Sequence, residues 1–224
     1  MILTGKRILI TQANAFMGSS LCEVFTEQGA TVIANEEPLA DPQAPAKLIE
    51  QVGEIDVLVA NLALAAPSTP AEQVTDEEWR AGFAALVYPL ARLWRGGLSI
   101  MQGHGSGKIL VIGSASALRG IKRASSYSAA RGAQLAYVQA LGVEVAPFNI
   151  QVNAIAQNFV DNPTYFPPEV QANPHFQERL KREVPLGRLV TAREDAQFAA
   201  YLCSDAANCF VGQVFPVAGG WVIK

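Results

Sequence analysis

Short apolar runs and helical stretches alternate from one end of this chain to the other, and that alternation limits the possible folds more than any other feature. Parallel strands need long crossover connections, usually helices, so the alternation specifies an open parallel sheet covered by helices on both faces. Residues 7–11, 31–34, 56–60, 108–112, 150–155 and 213–217 read as strands, and residues 17–28, 76–101, 126–145 and 192–203 as helices. Gly29 stands where a helix stop belongs, while Pro38, Pro42 and Pro45 make 36–46 a loop, with a short helix reaching Val52. Thr75 is the expected N-cap of the 76–101 helix, Glu78 completes a capping box, and Pro89 predicts a kink. The stretch 156–185 is rich in Pro, Asn and aromatic residues and too long for a plain connection, so it is expected to cover a ligand site. The pattern predicts one α/β domain over residues 1–224, a doubly wound parallel sheet in three layers.

A chain of 224 residues, 50% of them hydrophobic, can bury a full core without disulfides or a structural metal. The net charge of −3 comes without a basic cluster, so neither nucleic acid nor an anionic membrane is an expected partner; a small, mostly uncharged ligand is. Cys22, Cys203 and Cys209 show no C-x-x-C or zinc spacing, and an odd count reads as free, buried thiols of a reducing compartment. His104, between two glycines, and His175, after Pro174, read as solvated and belong to no metal cluster. Met1 leads through Thr4-Gly5-Lys6-Arg7 straight into the first strand, and no apolar run approaches the roughly 18 residues that span a bilayer. A soluble cytoplasmic protein is the expectation.

Tyr127 and Arg131 lie four apart near the start of a predicted helix, on one face and within reach of each other. A free phenol, with a pKa of about 10, is a poor base at neutral pH, but an adjacent permanent cation lowers it. Arginine suits this task because it does not lose its proton. Ser114 ends the preceding strand at the carboxyl edge of the sheet, where ligands bind in open α/β folds. Its hydroxyl can orient a substrate oxygen toward the phenol.

With these residues in place the chain resembles the short-chain dehydrogenase/reductase family over nearly its whole length. Further marks are residues 11–18, Asn61, Val152-Asn153-Ala154-Ile155-Ala156, Pro185-Leu186-Gly187-Arg188, and Val211-Gly212-Gln213 through Gly219-Gly220. The resemblance implies a Rossmann-like three-layer fold. Departures from the family then bear on function. Its T-G-x-x-x-G-x-G loop would put glycines at 12, 16 and 18, whereas this chain has Gln12, Phe16 and Gly18. Such glycines let a pyrophosphate approach a helix N-terminus. Phenylalanine at 16 is expected to disfavour a positive φ and to fill the phosphate's volume. Arg131 stands for the lysine that holds the nicotinamide ribose, and Leu86 for the asparagine of the family's proton relay. Glu36, at the end of the second strand, points the other way, since the family often keeps an acid there for the adenosine ribose.

A serine, tyrosine and arginine set without a nucleotide loop resembles the halohydrin dehalogenases. That resemblance implies a cofactor-independent conversion of vicinal halohydrins to epoxides, reversible as ring opening by small anions. It assigns Tyr127 as base, Ser114 as holder of the substrate oxygen and Arg131 as the group that keeps Tyr127 ionised. A halide site is implied at Gln157, Asn158 and Phe159, largely through backbone N–H groups, with Phe16 as a wall. A homotetramer is implied as well, and the stripe Trp79, Phe83, Leu86, Leu90 reads as core or subunit interface. Two alternatives stay open: an NAD(P)-dependent reductase, and a non-catalytic sensor of a small ligand.

Overall fold

A computed structural model describes residues 1–223. In chain order the elements are β1 (Arg7–Ile10), α1 (Gly18–Glu27), β2 (Thr31–Ala34), α2 (Ala44–Val52), β3 (Val57–Ala60), α3 (Asp76–Leu86), α4 (Tyr88–His104), β4 (Gly107–Ser114), α5 (Ser116–Arg119), α6 (Ser125–Val145), β5 (Ile150–Gln157), α7 (Pro168–Gln171), α8 (Pro174–Glu183), α9 (Ala192–Cys203) and β6 (Val214–Val217). The sheet runs β2-β1-β3-β4-β5-β6, and every pairing is parallel. The alternation predicted this doubly wound architecture.

Period-two alternation of side chains divides the core into two layers. Ile8, Ile10, Val57, Val59, Leu110 and Ile112 face α1 and α9. Leu9, Leu58, Ala60, Ile109, Val111 and Val152 face the opposite layer, built on Leu48, Leu90, Trp94, Leu135 and Val138 of α2, α4 and α6. β1 and β3 lead to opposite sides of the sheet, so the crevice between their carboxyl ends is the topological switch point.

The structure corrects or refines several expectations. The predicted 76–101 helix is two helices with Val87 between them, because Pro89 has no N–H and fits only the first turn of α4. The box at Thr75 is half made: its Oγ1 accepts from the Glu78 N–H at 3.2 Å, but the Glu78 carboxylate accepts from Ser126 Oγ and ties α3 to the start of α6. A complete capping box instead opens α9, at Thr191 and Glu194. The 156–185 excursion carries α7 and α8. Cys203 is buried, but Cys22 is half-buried and Cys209 exposed; His104 is exposed, as expected, with Glu54 beside it. The Trp79 stripe divides: Leu86 and Leu90 are core, whereas Trp79 stays 45% exposed and stacks on Phe83. Among the described residues no helix is long and apolar enough to cross a membrane, and no cluster of metal ligands exists.

Gly18, the family glycine that remains, opens α1 against the backbone of Ala13. A Cβ there would sit 2.4 Å from the Ala13 carbonyl oxygen, and that backbone cannot retreat without disturbing the loop between β1 and α1. Gly18→Ala is therefore expected to cost about 3 kcal/mol, read as a fall in the urea midpoint at unchanged m-value.

Candidate active site

The site is assembled where the carboxyl ends of β1, β3, β4 and β5 meet the first turn of α6. Tyr127 and Arg131 project from the buried face of α6, and Arg131 is 0% exposed. The guanidinium is held by hydrogen bonds and by aromatic rings. Nε donates to Tyr127 Oη at 3.1 Å, one terminal nitrogen donates to the Ile112 carbonyl at 3.1 Å and to Gln134 Oε1 at 2.9 Å, and the other donates to Tyr165 Oη at 3.2 Å. It also lies over the Tyr127 and Phe16 rings, 5.3 and 5.7 Å from their centroids. Gln134 in turn donates to the Leu86 carbonyl at the break between α3 and α4, so the position that lost its relay asparagine steadies the arginine through backbone.

No carboxylate pairs with Arg131 among the described residues. An unanswered buried charge costs several kcal/mol, so an anion beside it is strongly favoured, and the acids in reach are phenols. Burial opposes ionisation of Tyr127, but the Arg131 charge and hydrogen bonding from Tyr165, Arg131 and Ser114 outweigh it and hold the phenol below its ordinary pKa. The first turn of α6 adds the positive end of a helix dipole. Burial pushes the Tyr165 phenol up, and the neighbouring Tyr127 reinforces this against the pull of Arg131. The two phenols thus differ: Tyr127 is the more acidic of the pair, and Tyr165 holds its proton more tightly.

Tyr165 is the member that the sequence did not single out. Its one hydroxyl proton lies between two acceptors, Tyr127 Oη at 3.1 Å and the Leu64 carbonyl at 2.8 Å, while its ring meets Phe16 edge-on at 5.3 Å. It sat in an aromatic run predicted to line a pocket, but nothing in its spacing announced a contact across 38 residues with Tyr127.

Ser114 ends β4 in register with Gln157 of β5. Its Oγ bonds Ser116 Oγ at 2.9 Å and accepts from the Ser116 N–H at 3.2 Å, which aims it into a cavity of about 190 Å³. Tyr127, Phe16, Gln157, Asn158, Phe159 and Tyr165 line the same cavity, so the sequence-chosen residues other than the fully buried Arg131 share one wall or another of it.

The donors there are not the ones anticipated. The Asn158 N–H is used by the Val217 carbonyl at 3.1 Å, and the Phe159 N–H by the Asn158 side-chain oxygen at 2.9 Å. The Gln157 side chain turns away to Asp195 on α9. What remains is Asn158 Nδ2, buried and without a partner among the described residues, its orientation set by the bond its oxygen makes. That amide is a donor with unused hydrogen-bonding capacity in the wall of the cavity.

The nucleotide loop also corrects an expectation. Gln12 and Phe16 adopt φ of +46° and +54°, so the backbone keeps the left-handed turns although both glycines are gone. Strain of this kind, roughly 1–3 kcal/mol per residue, persists only where the surroundings over-determine it. Asn61 Nδ2 donates to the Gln12 and Ala15 carbonyls, each at 3.0 Å, and the Gln12 side chain accepts from the Ala63 N–H at 2.7 Å. The Phe16 N–H donates to Thr164 Oγ1 at 2.8 Å and its ring is buried. The N–H group that would face a pyrophosphate is therefore consumed by the 156–185 excursion. Glu36 is exposed beyond β2. Thr164 and the buried Phe16 ring thus occupy the loop between β1 and α1.

Comparison with known proteins places these features in context. The enoyl-(acyl carrier protein) reductase family matches residues 5–222. A solved structure described as a dehalogenation enzyme is 33% identical, covers 99% of this chain and 100% of its own, and superposes with a TM-score of 0.94. A halohydrin dehalogenase bound to ethyl (2S)-oxiran-2-ylacetate is 29% identical, with 97% and 98% coverage and a TM-score of 0.90. Among curated proteins, a cis-4-hydroxycyclohexanecarboxylate dehydrogenase from Sinomonas cyclohexanicum is 27% identical, covering 95% of each chain.

The electrostatics yield a spectroscopic expectation. Ultraviolet titration should show one tyrosinate forming below the ordinary tyrosine range, and Tyr127→Phe should remove it. Arg131→Lys should move that transition up by about one pH unit or more, because the fixed planar cation is lost. An unmoved transition would contradict the poising role.

Proposed function

We propose that this chain, which belongs to the short-chain dehydrogenase/reductase superfamily, is a halohydrin dehalogenase that turns vicinal halohydrins into epoxides without a nucleotide. The observation that carries the reading is the juxtaposition of a poised Tyr127 with a nucleotide loop whose N–H is already spent on Thr164 and whose Phe16 ring is buried against Tyr165. A base is kept and the hydride carrier has no seat.

In the proposed reaction the substrate hydroxyl takes the place of Tyr165 beside Tyr127 and accepts a hydrogen bond from Ser114. The Tyr127 phenolate removes the hydroxyl proton, and the alkoxide attacks the neighbouring carbon from behind the carbon–halogen bond. The new C–O bond closes the epoxide while the halogen leaves with its electron pair. One proton and one halide are released per turnover, and no oxidation state of the protein changes. Arg131 never touches the substrate; it keeps Tyr127 ionised between turnovers. The departing halide meets Asn158 Nδ2 and the ring edges of Phe16 and Phe159, which supply a donor in a dry wall. Resemblance to the dehalogenases supports a homotetramer as the assembly; cytoplasmic residence is the matching proposal for location.

The second reading, a nicotinamide-dependent reductase, is favoured by the dehydrogenase among the relatives and opposed by the loop. Halide release from a simple bromohydrin in the absence of any nucleotide separates the two. Release should fall by about 10²–10⁴-fold in Tyr127→Phe. Saturable quenching of NADH or NADPH fluorescence by the protein would defeat the lyase reading. Asn158→Leu should weaken bromide inhibition about tenfold, consistent with the loss of one hydrogen bond to a charged partner, with little change in folding. Equal inhibition would move the halide elsewhere.

A further inference from the structure

Behind the cavity lies a carboxyl group that the proposed reaction does not use. Asp195, in the first turn of α9, is 0% exposed. It accepts from Gln157 Nε2 through Oδ2, while Asp195 Oδ1 and Gln157 Oε1 are both buried and, among the described residues, both lack a partner. Two orphaned acceptors on a pair already joined by one hydrogen bond are resolved by a single proton between them. We propose that Asp195 is carried as the neutral carboxylic acid and clasps Gln157 through two reciprocal hydrogen bonds, which makes it a positioning residue for the end of β5.

The charged groups on the elements packed around it are engaged elsewhere. Glu23 and Glu27 of α1 face Arg193, and Glu194 pairs with Arg188. Lys108 on β4 donates to Gln151, Asp205 pairs with Lys6, and Asp161 accepts from Gln171. Among the described residues none supplies a counter-charge to an ionised Asp195, and only the N-terminal end of the α9 dipole favours the anion. Burial lifts its carboxyl to about 7, against the opposing pull of the Gln157 amide.

Gln157 occupies the position that matters. It pairs with Ser114 across the sheet, its carbonyl accepts from the Ala115 N–H at 2.8 Å, and the next residue is Asn158. The clasp therefore fixes the residue between the oxygen-binding serine and the free amide donor. Loss of the proton sets acceptor against acceptor and releases that end of the strand. The effect on halide binding rests on the proposed lyase reading; the clasp itself does not.

Asp195→Asn keeps the shape and both hydrogen bonds but removes the titratable proton. An aspartate whose folded pKa is raised holds a proton that the unfolded chain has released, so stability declines as pH rises from about 4 to about 7. The melting temperature of the parent protein should fall relative to Asp195→Asn across that window and run parallel above it; parallel curves throughout would overturn the clasp. Should the variant not fold, infrared spectroscopy of the parent protein decides: the carbonyl stretch of a protonated carboxyl should persist at neutral pH and vanish on mild alkalinisation, and its absence at neutral pH would overturn the proposal. For the functional arm, bromide affinity in the parent should weaken several-fold through the upper part of the window and stay flat in Asp195→Asn. Matching bromide profiles would overturn the positioning role. No bromide binding by either protein would count against the lyase reading, and the thermal comparison would then decide the clasp alone.

Discussion

A guanidinium sealed inside the protein without a carboxylate is the constraint on which the remaining architecture depends. Its hydrogen bonds are met by a strand carbonyl, a helix glutamine and two phenols. That solves the geometry but not the charge, since neutral acceptors do not cancel a cation in a medium of low dielectric. A phenolate does. The break between α3 and α4 belongs to the same arrangement, because it offers the Leu86 carbonyl that anchors Gln134. Features that look independent along the chain thus serve one electrostatic requirement.

The loop between β1 and α1 shows how a backbone path outlasts the residues that normally permit it. Gln12 and Phe16 hold left-handed conformations that glycine adopts without penalty. The cost is offset by Asn61, which spans the switch point and fastens the loop at two carbonyls, and by burial of the Phe16 ring. Phenylalanine in that conformation points inward, against Tyr165 and toward Arg131, rather than out of the loop. The ring reaches Tyr165 and Arg131 by virtue of the strained turn.

Much of this was legible in the residues because it is governed by local periodicity. Alternating apolar positions specify strand faces, and a four-residue interval on a helix specifies a shared side, so the sheet order's class and the Tyr127–Arg131 contact could be stated without coordinates. What was not legible depends on meetings across long stretches of chain. The destination of Glu78 was decided by Ser126 on another helix, and the backbone amides at 158 and 159 were claimed by Val217 and by a neighbouring side chain. The φ of Phe16 defied its own propensity because tertiary contacts outweighed it. Tyr165 and Asp195 carried no motif, and their importance arises from burial and from which atoms are left without partners.

The single bond from the Phe16 N–H to Thr164 joins two regions far apart in the chain, one inherited from a nucleotide-binding plan and the other a lid. Reinstating glycine at position 16 would free volume but leave Thr164 and Tyr165 lodged in the crevice. Clearing the lid alone would leave an aromatic side chain where phosphates must pass. On the proposed lyase reading, conversion of this scaffold to redox work would demand coordinated exchanges at both places, with each isolated step yielding a protein good at neither trade.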